Sequence, residues 1–154
     1  MSRPVMQLDV DNVRQMIRAA IPHVAALGVD LVALEKGRLT LSLPYDERLV
    51  GNPQTGTLHG GVITTLLDTV AGMSVFTVLD QMVPIATLDL RIDYLKPATP
   101  GRAVIGHAHC YRHTRNVAFV WGLAYHDDRD DPIAHCAASF MLSTAGAPPR
   151  REPA

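Results

Sequence analysis

The sequence predicts an α+β fold in which one long helix packs on an antiparallel sheet. Three observations predict it. The segments read in the order α-β-β-α-β-β-β-β. Those after the second helix are strand-like and joined by short turns, which favours antiparallel neighbours. The helical stretch over 60–79 carries Ile63, Leu66, Leu67, Val70 and Met73, a stripe wide enough to cover one face of a sheet.

Each element has its own signal. Residues 9–26 read as an amphipathic helix, with Val13, Ile17, Ala20, Ile21 and Val24 at helical spacing and Asp9 or Asp11 at the cap. Pro22 kinks or ends it. Residues 28–34 and 38–43 read as a hairpin around Glu35-Lys36-Gly37. Residues 44–58 form a polar loop, long enough to be functional. Residues 85–95 alternate, with Ala86, Leu88, Leu90, Ile92 and Tyr94 on one face and Thr87, Asp89, Arg91 and Asp93 on the other. A turn over 97–101 leads to strands over 102–112, 117–126 and 133–143. The last ten residues, from Ala145, are expected to be disordered.

Composition narrows the function. The chain has 154 residues, 47% of them hydrophobic, and a net charge of −1, so a single domain with a proper core is expected. The charge balance argues against nucleic acid as a partner. No apolar run reaches the roughly 18 residues needed to span a membrane. The N-terminus has no charged stretch leading into an apolar one, so no secretion signal is read and a cytoplasmic location is expected. Cys110 and Cys136 are read as structural thiols in preference to a disulfide. The last two strands are apolar on both faces, and a partner subunit is expected to cover the second face.

The stretch from Thr57 to Asp68 holds the candidate site. It places a lone carboxylate, Asp68, in an apolar, small-residue helix that begins at Gly60-Gly61. A buried carboxylate without a partner costs several kcal/mol. Thr64, Thr65, Ala71 and Gly72 lie three or four residues from Asp68, leaving room for a ligand or for tight packing against a partner. A helix rises about 1.5 Å per residue, so Gly60 and Asp68 are about 12 Å apart along it. One carbonyl cannot touch both. If both act on one substrate, one of them comes from another copy of the chain, related by a two-fold axis.

His59-Gly60-Gly61 followed by Asp68, in this element order, resembles the hotdog-fold acyl-CoA thioesterases of the phenylacetate-pathway (PaaI-like) branch. The likeness covers about residues 25–143 and includes the strand ending Asp93-Tyr94-Leu95-Lys96-Pro97. It implies a sheet of about six strands wrapped on the long central helix, divided as residues 1–26 (helical segment), 27–144 (hotdog domain) and 145–154 (tail). It implies hydrolysis of acyl-CoA thioesters to free acid and CoA, with no cofactor beyond the coenzyme A of the substrate. Asp68 would be the nucleophile or the general base, and the Gly60 N–H the oxyanion donor. Asn52 would be the loop asparagine, although the loop to His59 has one residue more than the pattern, which leaves Gln54 as the alternative. Thr87 matches a small hydroxyl position near the acid. His59 and Gly61 would shape the loop and position substrate, with a catalytic base as the alternative role for His59. The resemblance also implies a homodimer, with a dimer of dimers plausible.

Arg112, His113 and Arg115, with Arg102, are read as a cluster around one loop, either a solvated turn or a contact for the phosphates of coenzyme A. His107 and His109 share a strand face and, with His113 or His135, are weighed as a metal site. No ligand spacing supports it, so no metal is expected and an interface or surface position is. The acyl group stays open between aromatic and medium-length alkyl. Rival readings are a non-catalytic acyl-CoA binder and a hotdog dehydratase, whose histidine–acid pattern is not found.

Overall fold

The computed structural model describes residues 9–142, so the expected tail lies outside the described residues. Helix α1 (Val10–Ala20) starts where Asp9 accepts the Asn12 N–H at 2.8 Å. It stops at Ile21, whose backbone is pushed out of the helical region by the proline that follows. Pro22 then opens a short second helix, α2 (Pro22–Ala26). Val13, Ile17 and Val24 turn inward, and Arg14 holds α1 to the first strand through Asp30 and the Leu31 carbonyl.

The hairpin β1 (Asp30–Glu35) and β2 (Arg38–Leu43) forms as expected. The long helix α3 spans Gly60–Phe76. Three further long strands follow β5 (Ile85–Tyr94): β6 (Val104–His113), β7 (Val117–Tyr125) and β8 (Ala134–Leu142). All pairings are antiparallel, and the six-stranded sheet runs β1-β2-β6-β7-β8-β5. This is the hotdog arrangement. Leu39, Leu41 and Leu43 of β2, Val104 and Ala108 of β6, and Val120 and Phe140 further on form a core with Leu66, Leu67 and Val70 of α3. A Cβ at Gly106 would lie 2.8 Å from the Leu66 Cγ, so the missing side chain is what lets α3 settle on β6.

Two expectations need correction here. The stretch over 44–58 is not a plain loop: a 3-10 turn (Glu47–Leu49) leads into a small hairpin, β3 (Val50–Asn52) and β4 (Thr57–Leu58). The even alternation read along β5 is also broken. Ile85 faces Leu142 and Thr87 faces Phe140, then the register slips, and Leu90, Ile92 and Tyr94 face Ala138, Cys136 and Ala134. Leu88 is the extra residue of a β-bulge and is 50% exposed. The bulge puts Thr87 on the same face as Leu90 and Ile92, towards α3, rather than with Asp89 on the outer face.

Candidate active site

The first turn of α3 is built around His59. It is the N-cap residue, and its Nδ1 accepts the Gly61 N–H at 2.9 Å. Its carbonyl accepts the Val62 N–H, and its own N–H donates to the Leu49 carbonyl. The β3–β4 hairpin can press this close because residue 51 is glycine: a Cβ there would lie 2.8 Å from the His59 Cα. With Nδ1 accepting, the remaining ring proton sits on Nε2, so a neutral His59 presents a donor to solvent and not a base. Gly61 and Val62 have acceptors, whereas the Gly60 N–H has none among the described residues. That free N–H lies at the positive end of a 17-residue helix.

Tyr94, at the end of β5, reaches this turn. Its hydroxyl donates to the Gly60 carbonyl at 2.8 Å and lies 2.7 Å from the Thr64 Oγ1. It ties the end of β5 to the start of α3. No local signal marks this role, because the contact joins residues 34 positions apart.

Asp68 is half-buried, and it has a partner: its Oδ1 accepts the Thr87 hydroxyl at 2.9 Å. The picture of an unpartnered buried carboxylate is corrected by the β5 bulge, which supplies that hydroxyl. The pair borders a cavity of about 250 Å3. A second cavity, of about 370 Å3, adjoins His59 and Gly61 and is flanked by His23 and Arg48. The corner between α1 and α2 crosses α3 between the two, with Ile21 beside Asp68 and His23 3.3 Å from the Thr65 hydroxyl. Within one chain the two halves of the motif therefore open into separate cavities.

The other predicted residues divide. Asn52 closes the base of the β3–β4 hairpin, next to the Gly51 that touches His59, and its Oδ1 accepts the Gln54 N–H at 3.0 Å. Gln54 sits in the exposed hairpin turn, where its side chain bonds nothing among the described residues. Arg112 and Arg115 are exposed around the β6–β7 turn and make no ion pair among the described residues. Their end of β6 lies beside the C-terminal end of α3, because the Cys110 N–H donates to the Gly37 carbonyl and the Gly37 N–H to the Thr77 hydroxyl. They are thus at the far end of the helix from Gly60 of their own chain. Arg102 is not part of their cluster: it precedes β6 and pairs with Asp127.

His107 is buried within the chain rather than at the interface or surface position expected for it. It is 5% exposed, its Nδ1 lies 2.9 Å from the Thr40 hydroxyl, and burial, with Arg129 and Arg38 nearby, pushes its pKa down to about 4. His109 packs edge-on against Trp121. Among the described residues, no group of three metal-binding side chains forms. Cys110 and Cys136 are free and buried, and burial pushes the Cys136 thiol up to about 11.

A fold and a helix N-terminus of this kind define a class. A family model for the thioesterase superfamily matches residues 55–133, and the chain belongs to that family. It is 30% identical over 143 residues to the medium/long-chain acyl-CoA thioesterase YigI of Escherichia coli K12, covering 84% of this chain and 91% of that one. A crystal structure of a Pseudomonas aeruginosa protein superposes with a TM-score of 0.78 at 46% identity, covering 87% of this chain and 98% of that one. A phenylacetic acid degradation-related protein of Ralstonia eutropha JMP134 gives a TM-score of 0.70 at 30% identity, covering 83% and 97%, which agrees with the PaaI-like resemblance. The chain spans 64% and 66% of the length of the relatives it matches in Halobacterium salinarum and Saccharolobus solfataricus. No helix among the described residues is long and apolar enough to cross a membrane.

Proposed function

We propose that this protein hydrolyses acyl-CoA thioesters to the free acid and CoA, in the cytoplasm, as a homodimer that can pair into a dimer of dimers. The observation that carries the reading is the Asp68–Thr87 pair bordering a cavity, with Asp68 on a helix whose first N–H, at Gly60, has no acceptor among the described residues. The thioester carbonyl carbon is attacked either by water that Asp68 deprotonates or by the Asp68 carboxylate itself. Negative charge gathers on the carbonyl oxygen, where the Gly60 N–H and the helix dipole meet it. The C–S bond then breaks, and CoA leaves as the thiol after taking a proton. Where Asp68 is the nucleophile, water cleaves the resulting anhydride in a second step.

Asn52 stands on the loop beside His59, its side-chain N–H groups available to orient water or the thioester. The His59 Nε2–H is a second donor at this end. The site is completed between subunits, because about 12 Å of helix separates Gly60 from Asp68 and each opens into a different cavity. The wider family and the relatives named for acyl-CoA thioesterase activity support the reaction class.

The test is release of free CoA thiol from a panel of acyl-CoA esters by wild type and by Asp68→Ala. Wild type should release thiol and the variant should fall by several orders of magnitude. Equal rates would remove Asp68 from the mechanism. Binding without release by wild type would favour an acyl-CoA binder.

A further inference from the structure

The cavity beside Asp68 follows α3 and is lined mostly by apolar residues. Its α3 wall is one stripe of the helix, running from Asp68 past Gly72 and Met73 to Phe76, the last helical residue. Ile85 of β5 and Phe140 of β8 form the floor, and Ile21, at the α1–α2 corner, overhangs it. Asp68, Thr69 and Thr87 are the polar lining residues at one end, and past them the walls offer an acyl group chiefly hydrocarbon.

We propose that this cavity takes the acyl chain of the substrate, that the chain is alkyl rather than aryl, and that Phe76 sets its greatest length. The inference rests on the thioesterase reading and goes on to name the substrate class. Eight residues of helix separate Asp68 from Phe76, about 12 Å at the α-helical rise. A zigzag of C–C bonds of about 1.5 Å at angles near 111° advances about 1.25 Å per carbon. The groove therefore holds an extended chain of about nine or ten carbons. A single aromatic ring on a short linker fills only the first turn and leaves Met73 and Phe76 uncovered.

Gly72 sets the width halfway along. A Cβ there would stand 3.3 Å from the Phe140 Cε1 and 3.5 Å from the Ile85 Cδ1. A methyl group at position 72 would touch Ile85, press Phe140 back by a few tenths of an ångström and take up space in the cavity it lines. Alanine also suits a helix better than glycine, which keeps Gly72→Ala foldable.

The experiment measures kcat/KM by thiol release for saturated acyl-CoA esters from butyryl to palmitoyl and for phenylacetyl-CoA. It uses wild type, Gly72→Ala and Phe76→Ala. For wild type, kcat/KM should climb up to about fourfold per methylene and stop climbing near ten carbons, with phenylacetyl-CoA below octanoyl-CoA. Gly72→Ala should move the break to shorter chains and Phe76→Ala to longer ones. If Gly72→Ala does not fold, the shift in Phe76→Ala decides alone. The same break in every folded protein, or a preference of wild type for phenylacetyl-CoA over all alkyl esters, would overturn the acyl assignment and leave the thioesterase reading standing. No thiol release by wild type from any ester would bring down both.

Discussion

Gly60→Pro removes one N–H and little else, which makes it a clean probe of the proposed oxyanion donor. Proline is favoured at the first helical position, where the N–H has no intrahelical partner. The residue before a proline must be extended, and His59 already sits at φ −62°, ψ 134°. The nearest atom to a Cβ at position 60 is the Tyr94 hydroxyl at 3.5 Å, an ordinary contact. The variant should fold, and losing one oxyanion donor should lower kcat by about 10² to 10³-fold. Mixing it with Asp68→Ala then tests where the site is assembled. In a mixed dimer, the Asp68→Ala chain supplies Gly60 and the Gly60→Pro chain supplies Asp68. One of the two sites is whole and the other has neither group. Random pairing of equal amounts makes about half the dimers mixed, so the mixture should recover about a quarter of wild-type activity. Thiol release is followed after subunits exchange, with two affinity tags to confirm that mixed dimers exist. If confirmed mixed dimers are no more active than their parents, the shared site is wrong. If Gly60→Pro alone is fully active, its N–H is not the donor.

Three further perturbations bear on the acid, the packing and the buried histidine. Thr87→Val deletes the hydroxyl bonded to Asp68 at 2.9 Å, and hydrogen bonds to charged groups are worth about 1.5–3 kcal/mol. Thiol release should show kcat/KM lowered about 10- to 100-fold, with Thr87→Ser retaining most of it; a fully active Val variant would exclude Thr87. Gly106→Ala places a methyl group 2.8 Å from the Leu66 Cγ and should cost about 1–3 kcal/mol in urea unfolding, so an unchanged midpoint would mean Leu66 moves aside freely. His107, held near 4 against 6.5 when unfolded, resists a proton that the unfolded chain accepts. Its contribution is complete above pH 6.5, is lost as pH falls towards 4, and by pH 5 is reduced by about 2 kcal/mol. Arg38, Arg129, Glu35 and His109 face it. Unfolding free energies at pH 7 and 5 should differ less in His107→Gln than in wild type, and an equal difference would place the acid sensitivity elsewhere.

What the sequence made legible is what periodicity carries. Helix α3 and the β1–β2 hairpin follow from apolar spacing and from Lys36-Gly37. The separation of Gly60 from Asp68 follows from helix rise alone, which is why the two-subunit reading needs no coordinates. The bulge was not legible, because Leu88 is apolar at a position where simple alternation also wants an apolar residue. Its effect, turning Thr87 to face Asp68, depends on which residue of β8 pairs with which residue of β5. The β3–β4 hairpin was hidden for a similar reason: three- and two-residue strands are held by backbone bonds, which polar side chains do not advertise. His59 lies outside the usual capping residues, and Tyr94 meets Gly60 only through tertiary folding.

The β5 edge connects these features. It is the longer of the two outer strands of the six-stranded sheet, ten residues against six in β1, and Leu88, Tyr94 and Leu95 on it or just past it are 50%, 50% and 54% exposed. A long edge with exposed apolar side chains is a template for pairing. In the homodimer proposed above, two copies would pair antiparallel along it. Directly opposed residues must point to the same face, which limits the register. Near one end of β5, Thr87 holds Asp68; at the other, Tyr94 holds Gly60. With Leu88 set aside as the bulged residue, a two-fold axis at Arg91 puts Leu90 opposite Ile92 of the partner subunit and Thr87 opposite Tyr94 of the partner subunit. All four face the helices, so the register is allowed. It carries Asp68 of each chain towards the Gly60 end of the other. Arg91, on the axis, would then oppose its own copy, at the Cα separation of about 4.5–5.5 Å typical of antiparallel neighbours, within the range a disulfide spans. Arg91→Cys should therefore form a covalent dimer on mild oxidation, seen on a non-reducing gel, while Asp89→Cys, displaced from the axis, should not. Ready cross-linking of Asp89→Cys with none for Arg91→Cys would rule out this register, and with it the route by which Asp68 and Gly60 meet.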